Sequence, residues 1–289
     1  MTTMLTLPDG RDLEVEVTGP DGAPVLVFHH GTPGASQQFE GMADEVHAHG
    51  LRLATWSRAG YGASTRRRGR SVADEVDDAV AVLDHLGADD GLVAGWSGGG
   101  PHALACGALR PDRFRAVLCI AGVAPYDADG LAFLDGMGEE NHDEFGAALE
   151  GEQTLRSYLD AARPELLSVT GDQIHEQMAT LLPPVDVTSL TGGFGDFLAA
   201  EFRQAVSVSV DGWLDDDLAF TRSWGFDLSA ISVPTHVWQG SDDLMVPFAH
   251  GQWLVEHIPG VVAHLEPGEG HLSIGIGAMG RMLDELLGH

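Results

Sequence analysis

The sequence predicts an α/β protein on a parallel sheet, with a helical segment let into the chain. Short apolar runs alternate with amphipathic stretches up to about residue 125, and the same rhythm returns from about residue 229. That alternation is the pattern of right-handed βαβ units. Between them, from 126 to 228, the composition shifts to acidic helical pieces separated by loops at Pro183-Pro184 and Gly192-Gly193. At Gly95-Trp96-Ser97-Gly98-Gly99, a single serine stands among glycines where a strand passes into a helix.

The elements follow in order. "MLTLPDGRDLEVEVTG" alternates apolar and polar residues about Asp9-Gly10, which predicts a β-hairpin. Val25 to Phe28 is a continuous apolar run, suited to a strand covered on both faces. A helix is expected from Ser36 to His49, closed by Gly50, and then a strand over 51–57. Ser71-x-x-Asp74 is a capping-box pattern, and Val72, Val76, Leu83 and Leu86 then share one helical face. "LVAGW" reads as a strand, "GPHALACGALR" as a helix and "RAVLCIAGVAP" as a strand. Within the insertion, helices are expected over "FLDGMGEENHDEFGAALEGEQTLRSYLDAA", "DQIHEQMATLL" and "FGDFLAAEFRQAV". A strand around Val237, a helix near 248–258, the strand "VVAHL" and a helix after His271 complete the chain. The division predicted is a core of 1–125 and 229–289 with an inserted helical unit of 126–228.

Bulk properties narrow the function. The chain has 289 residues and a formal net charge of −29, and its basic residues are all arginine. An acidic surface disfavours nucleic acid and anionic membranes as partners, since both need cationic contacts. The missing lysine excludes Schiff-base chemistry on this chain's own amines. Cys106 and Cys119 lie in apolar stretches without metal-binding spacing, so buried thiols are expected. The opening residues lack a charged region followed by an apolar one, and no apolar run reaches membrane-spanning length. A cytoplasmic protein is expected on those grounds.

Gly95 to Gly99 fits G-x-S-x-G between a strand and a helix, the setting of a nucleophile elbow. A serine hydroxyl needs a base, and the base needs an acid to orient it. Asp243, in "GSDDLMVP", follows the strand around Val237, and His271, in "EPGEGHLS", follows the strand Val261–Leu265. All three residues fall on loops at one sheet edge, in the chain order Ser…Asp…His. Asp242 is the alternative acid. His264, within a strand, and His250 and His257, on a helix, suit packing roles. The expected oxyanion donors are the Gly98 and Thr32 backbone N–H groups, with His30 as a buried brace of the "HHGTPG" loop.

These residues resemble the α/β-hydrolase fold superfamily over nearly the whole chain. They are similar in particular to its capped esterase and proline-iminopeptidase-like branch with H-G-x-P-G. The matching residues are His30-Gly31-Thr32-Pro33-Gly34, the Ser97 elbow, Gly240-x-x-Asp243-x-x-Val246-Pro247 and Gly270-His271. "WSRAGYGAS" resembles the segment in which Arg58 would be structural. The resemblance implies an eight-stranded, mostly parallel sheet flanked by helices, with a helical cap between strands six and seven. The motifs are specific to the fold and not to a substrate; Ser97, His271 and Asp243 together lead us to expect hydrolysis of a small-molecule ester through an acyl-enzyme, without cofactor or metal. An amidase or aminopeptidase is the alternative, and a non-catalytic binder of the same fold a third. Two departures stand against the iminopeptidases. Thr32 replaces a glycine, and Trp96 precedes the serine rather than following it. Those enzymes hold the substrate's amino terminus with cap glutamates, which here would be Glu139 or Glu140. Trp96 is a further expected substrate contact. Arg66, Arg67 and Arg68 are expected to hold an anionic group near the site mouth, to meet an acidic partner, or simply to form a solvated loop. Oligomeric state is left open.

Overall fold

The computed structural model describes residues 2–178, 180–190 and 193–288. The hairpin about Asp9-Gly10 is β1 (Thr2–Thr6) and β2 (Asp12–Thr18), paired antiparallel. Then follow β3 (Val25–His29), α1 (Glu40–Ala48), β4 (Arg52–Trp56), α2 (Glu75–His85), β5 (Gly91–Trp96), α3 (Gly99–Leu109) and β6 (Phe114–Ile120). Six helices come next: α4 (Glu139–Glu150), α5 (Glu152–Ser168), α6 (Ile174–Gln177), α7 (Pro184–Ser189), α8 (Phe194–Ala205) and α9 (Asp211–Phe220). The α/β rhythm resumes with β7 (Thr235–Gly240), α10 (Phe248–His257), β8 (Val262–Glu266), α11 (His271–Gly277) and α12 (Met279–Leu287).

The strands form one eight-stranded sheet in the order β1-β2-β4-β3-β5-β6-β7-β8. From β4 to β8 neighbouring strands run parallel, and only the β1–β2 and β2–β4 pairs are antiparallel. Side chains alternate across a strand, so a doubly covered sheet divides its apolar residues between two cores. Val25, Val27, Val93, Val117 and Val237 pack with α2, α3 and α10 on one face. Leu26, Phe28, Leu92, Leu118 and Trp238 pack with α1 and α12 on the other. The small residues of α3 let that helix lie buried from Gly99 to Ala108 against β5 and β6.

Three local expectations need correction. Helix α1 begins at Glu40 rather than Ser36, because the preceding residues are committed elsewhere. Ser36 N–H donates to Ser57 Oγ at 3.0 Å, and Gln38 Nε2 donates to the Glu16 carbonyl at 3.1 Å. Helix α7 occupies a stretch read as loop, with Pro184 in its first turn, where a missing N–H costs nothing. Helix α9 was absent from the expected elements, since Asp215-Asp216-Asp217 gives it no apolar stripe. All three aspartates are nevertheless buried.

Asp216 is the reason. Its Oδ2 accepts from Arg58 Nη2 at 2.6 Å, Tyr61 Oη at 2.8 Å and Thr32 Oγ1 at 3.0 Å. Its Oδ1 lies 2.6 Å from Arg70 Nη1 and 3.3 Å from His102 Nε2. Burial alone would raise this carboxyl's pKa, but Arg58 and Arg70 outweigh that and hold it well below the usual range. Arg70 also pairs with buried Glu75 at 3.1 Å.

The neighbouring arginines are likewise spent within the chain. Arg66 forks onto Asp215 at 2.7 and 3.0 Å and reaches Asp211, Arg67 holds Asp74, and Arg68 holds Glu152. The Arg66–Arg68 cluster therefore clasps carboxylates of α2, α5 and α9 rather than standing as an open anion site.

Replacing one partner of a buried ion pair strands the others without compensation. Asp216→Leu should therefore cost about 3–5 kcal/mol in urea unfolding. Adding Arg58→Met to Asp216→Leu should recover part of that loss, which a double-mutant cycle measures.

Candidate active site

Strand β5 delivers Ser97 to the carboxyl edge of the sheet, and α3 leaves immediately after it. The serine sits at φ 57°, the left-handed region that a non-glycine residue rarely enters. Its N–H is tied to the Ile120 carbonyl at 2.9 Å, and its own carbonyl accepts from Gly100 N–H at 2.9 Å. The flanking glycines are there for lack of room. A methyl group at Gly95 would collide with the Gly99 carbonyl, and one at Gly99 with the His29 carbonyl. Strand, turn and helix thus approach more closely than any side chain allows.

Asp243 and His271 meet. His271 Nδ1 and Asp243 Oδ2 are 2.8 Å apart, with both side chains essentially removed from solvent. The carboxylate is fixed from every side: Oδ1 accepts the Met245 and Val246 N–H groups at 2.9 and 2.8 Å, and Gln239 Nε2 donates to Oδ2 at 2.9 Å. Asp242 is exposed and bonded to Ser241, so it is not the partner. Burial works to lower the His271 pKa. Asp243's charge and hydrogen bond, with a contribution from Asp186, outweigh it and leave the imidazole above its ordinary value.

Asp186 is a residue that sequence reasoning missed. It lies on α7, fully buried, and its carboxylate accepts the N–H groups of His271, Leu272 and Ser273 at 2.8, 3.0 and 2.9 Å. It is a side-chain cap on α11 supplied from another part of the chain, and it fixes the backbone of His271. No local signal links position 186 to position 271.

The loop 30–34 is braced as firmly. His30 Nε2 accepts from Arg58 N–H at 3.1 Å, and His30 Nδ1 lies 2.7 Å from the Gly31 carbonyl. The Arg58 guanidinium also donates to the His30 and Gly31 carbonyls at 2.5 and 2.9 Å. Burial and the Arg58 charge hold the His30 pKa well below its ordinary value, so this ring is neutral. Thr32 and Gly98 are neighbours, since a side chain at Gly98 would strike the Thr32 hydroxyl.

Ser97, Gly98 and Thr32 line a cavity of about 250 Å³ walled by α4, α5 and α9. Glu140 lines it, whereas Glu139 is exposed at the first turn of α4 and does not. Trp96 also departs from expectation. Its indole is tilted against the His271 ring, with centroids 5.2 Å apart, and donates to the His271 carbonyl at 3.2 Å. It is a support for the imidazole, not part of this cavity wall. Of the aromatic residues between 126 and 228, Phe145, Tyr158, Phe202, Trp213 and Phe220 line the cavity. Phe133 packs on His250, and Trp224 stacks on Phe226.

Four carboxyl groups face this space, from Glu140, Glu144, Glu165 and Asp217, with no basic side chain on the wall among the described residues. Burial raises Glu144 to about 7 and Asp217 well above its ordinary value, and the hydrogen bond between them lets the pair keep a proton near neutrality. Trp213 Nε1 donates to Glu144 at 2.7 Å. His236, His264 and Glu285 bring metal-ligand atoms within 4.8 Å of one another, but none lines the cavity. Both cysteines are buried as free thiols, with their pKa values pushed up by burial. Among the described residues, no helix is long and apolar enough to cross a membrane.

The alpha/beta hydrolase fold family profile matches residues 24–278. An uncharacterised hydrolase of Bacillus subtilis, YcgS, is 30% identical over 266 residues, covering 91% of this chain and 89% of that one. A bifunctional esterase/perhydrolase of Acinetobacter calcoaceticus is 26% identical, covering 84% and 83%. Among solved structures, an enol-lactonase from Burkholderia xenovorans superposes with a TM-score of 0.68 at 16% identity, over 99% and 98% of the two chains. An alpha/beta hydrolase fold protein from Chitinophaga pinensis gives 0.71 at 16% identity, over 100% and 98%. This chain belongs to the alpha/beta hydrolase fold family and is a hydrolase.

Proposed function

We propose that this hydrolase cleaves a carboxylic ester of a small molecule through an acyl-enzyme on Ser97. The observation that carries the reading is the buried 2.8 Å contact between His271 and Asp243, set at the sheet edge where Ser97 is held at φ 57°. With Nδ1 directed to Asp243, Nε2 is the ring nitrogen left to act as base. Ser97 Oγ attacks the carbonyl carbon while Nε2 takes its proton. The oxyanion forms against the Gly98 and Thr32 N–H groups, and the start of α3 adds its positive end. His271 returns the proton to the leaving alcohol. Water, deprotonated by the same nitrogen, then attacks the acyl-enzyme, and collapse frees the acid and Ser97. The surrounding 126–228 segment acts as the cap that shapes the substrate cavity.

A second reading has its own support. Four carboxyl groups on the cavity wall and no basic group favour a substrate bearing a protonated amine, as an aminopeptidase or amidase would require. Glu140 and Glu144 are the groups placed to meet it, and an ammonium beside Glu144 would displace the proton that burial keeps there.

Ser97→Ala should lower turnover of p-nitrophenyl acetate by at least about 10³-fold and abolish labelling by a fluorophosphonate, with the circular dichroism spectrum unchanged. Undiminished turnover would refute the assignment. Because the neutral imidazole is the base, kcat/KM should fall as pH drops through the His271 pKa, with a midpoint above the ordinary histidine value. Asp243→Asn should lower both the midpoint and the rate. For the choice of bond, short acyl esters should be turned over in preference to proline-β-naphthylamide. If the amide is preferred, and Glu140→Gln or Glu144→Gln raises its KM about tenfold or more while sparing neutral esters, the amine reading replaces the ester reading.

A further inference from the structure

A second cavity, of about 400 Å³, is lined by Trp96 rather than by Ser97. It is bounded by the α1 face of the sheet and by α8 and α11, and it shares no lining residue with the cavity at Ser97. Its volume is in the range of small-molecule sites. Phe39, Phe194 and Phe197 form one wall, with ring centroids 5.0 to 5.8 Å apart, and Trp96 and Leu272 form another. Exposed Gly41 and Glu45 mark its mouth.

Three buried polar side chains reach this apolar wall: His30, Thr55 and Glu201. Both His30 nitrogens are engaged, and the Thr55 hydroxyl donates to the Ser36 carbonyl at 2.5 Å. Glu201 differs. It is 4% exposed, and one carboxyl oxygen accepts a long 3.4 Å bond from Ala35 N–H. Among the described residues, nothing is bonded to its other oxygen. Burial pushes the Glu201 pKa up to about 8, so near neutral pH the group is an acid with an O–H to donate. With no protein acceptor for that O–H, an acceptor on a molecule in the cavity would be its partner.

We propose that this cavity is a second binding site, distinct from the one at Ser97, for an uncharged apolar molecule carrying one hydrogen-bond acceptor. The apolar walls take the hydrocarbon part, and Glu201 donates to the acceptor. An anion finds no arginine on the wall and meets Glu45 at the mouth, while a cation would lose its hydration among aromatic rings. The bound molecule would lie against Trp96 and Leu272, the residues adjoining Ser97 and His271 in the chain.

Isothermal titration with 2-nonanone tests this. The wild-type chain should bind one equivalent. Gly275→Leu should weaken binding at least tenfold, because a side chain there enters the space beside the Trp96 indole, 3.8 Å from a Cβ at that position. Ala162→Trp, which narrows the cavity at Ser97 instead, should leave binding unchanged. Glu201→Leu should weaken binding about tenfold, and Glu201→Gln, which keeps a donor, by no more than about threefold. Folding of each variant is checked by circular dichroism, and Met42→Trp replaces Gly275→Leu if that chain does not fold. Absence of binding to the wild type would overturn the proposal. So would wild-type affinity in the cavity-filling variant, or a loss confined to Ala162→Trp.

Discussion

The buried carboxylate of Asp216 is the constraint on which the working edge of this molecule depends. It sits on α9, yet its partners come from three other places in the chain: Thr32, the Arg58–Tyr61 turn with Arg70, and His102 of α3. Arg58 carries the restraint onward into the His30 and Gly31 carbonyls. One charge centre therefore ties α9 to α3 and to the segments that follow β3 and β4, and sets the loop that contains Thr32. Such a cluster is expensive to desolvate and gains little net stability over an apolar substitute. Its effect is positional: guanidinium and carboxylate have few compatible arrangements, so the loop has little freedom to drift.

The residues around Ser97 show the same logic in backbone form. Positive φ at the serine is tolerated because β5, β6 and α3 close around it too tightly for any other course. Glycines at 95 and 99 are what make that closeness possible. The histidine and its acid need no strain, only fixed partners, and Asp243 receives three donors besides the imidazole.

What the sequence discloses depends on the range of the interactions involved. Strand and helix periodicity, the hairpin at Asp9-Gly10 and the elbow at Ser97 are local, and the reading found each of them. The placing of Asp243 and His271 just beyond the ends of strands follows from chain order on a parallel sheet, although His271 proves to be the first residue of α11 rather than part of a loop. By contrast, α9 is not legible because three successive aspartates interrupt any apolar stripe. Their burial depends on arginines and a glutamate more than sixty residues away. Asp186 was missed for the same reason. The direction in which Trp96 points was also not legible, since both sides of an elbow are open until α1 and α11 are placed. Glu139 and Glu140 differ in exposure by one step of a helix, and only the packing of α4 decides between them.

Asp186 has a consequence for how such an enzyme can change. The carboxylate that seats the backbone of His271 is carried by α7, inside the stretch that also walls the cavity at Ser97. Grafting that stretch from a relative to obtain new selectivity would exchange the anchor of the imidazole along with the pocket. On the mechanism proposed for Ser97, a chimaera lacking an acidic residue in this place would have a loosened base whatever its donor's preference, and the heritable unit of specificity would include part of the catalytic apparatus.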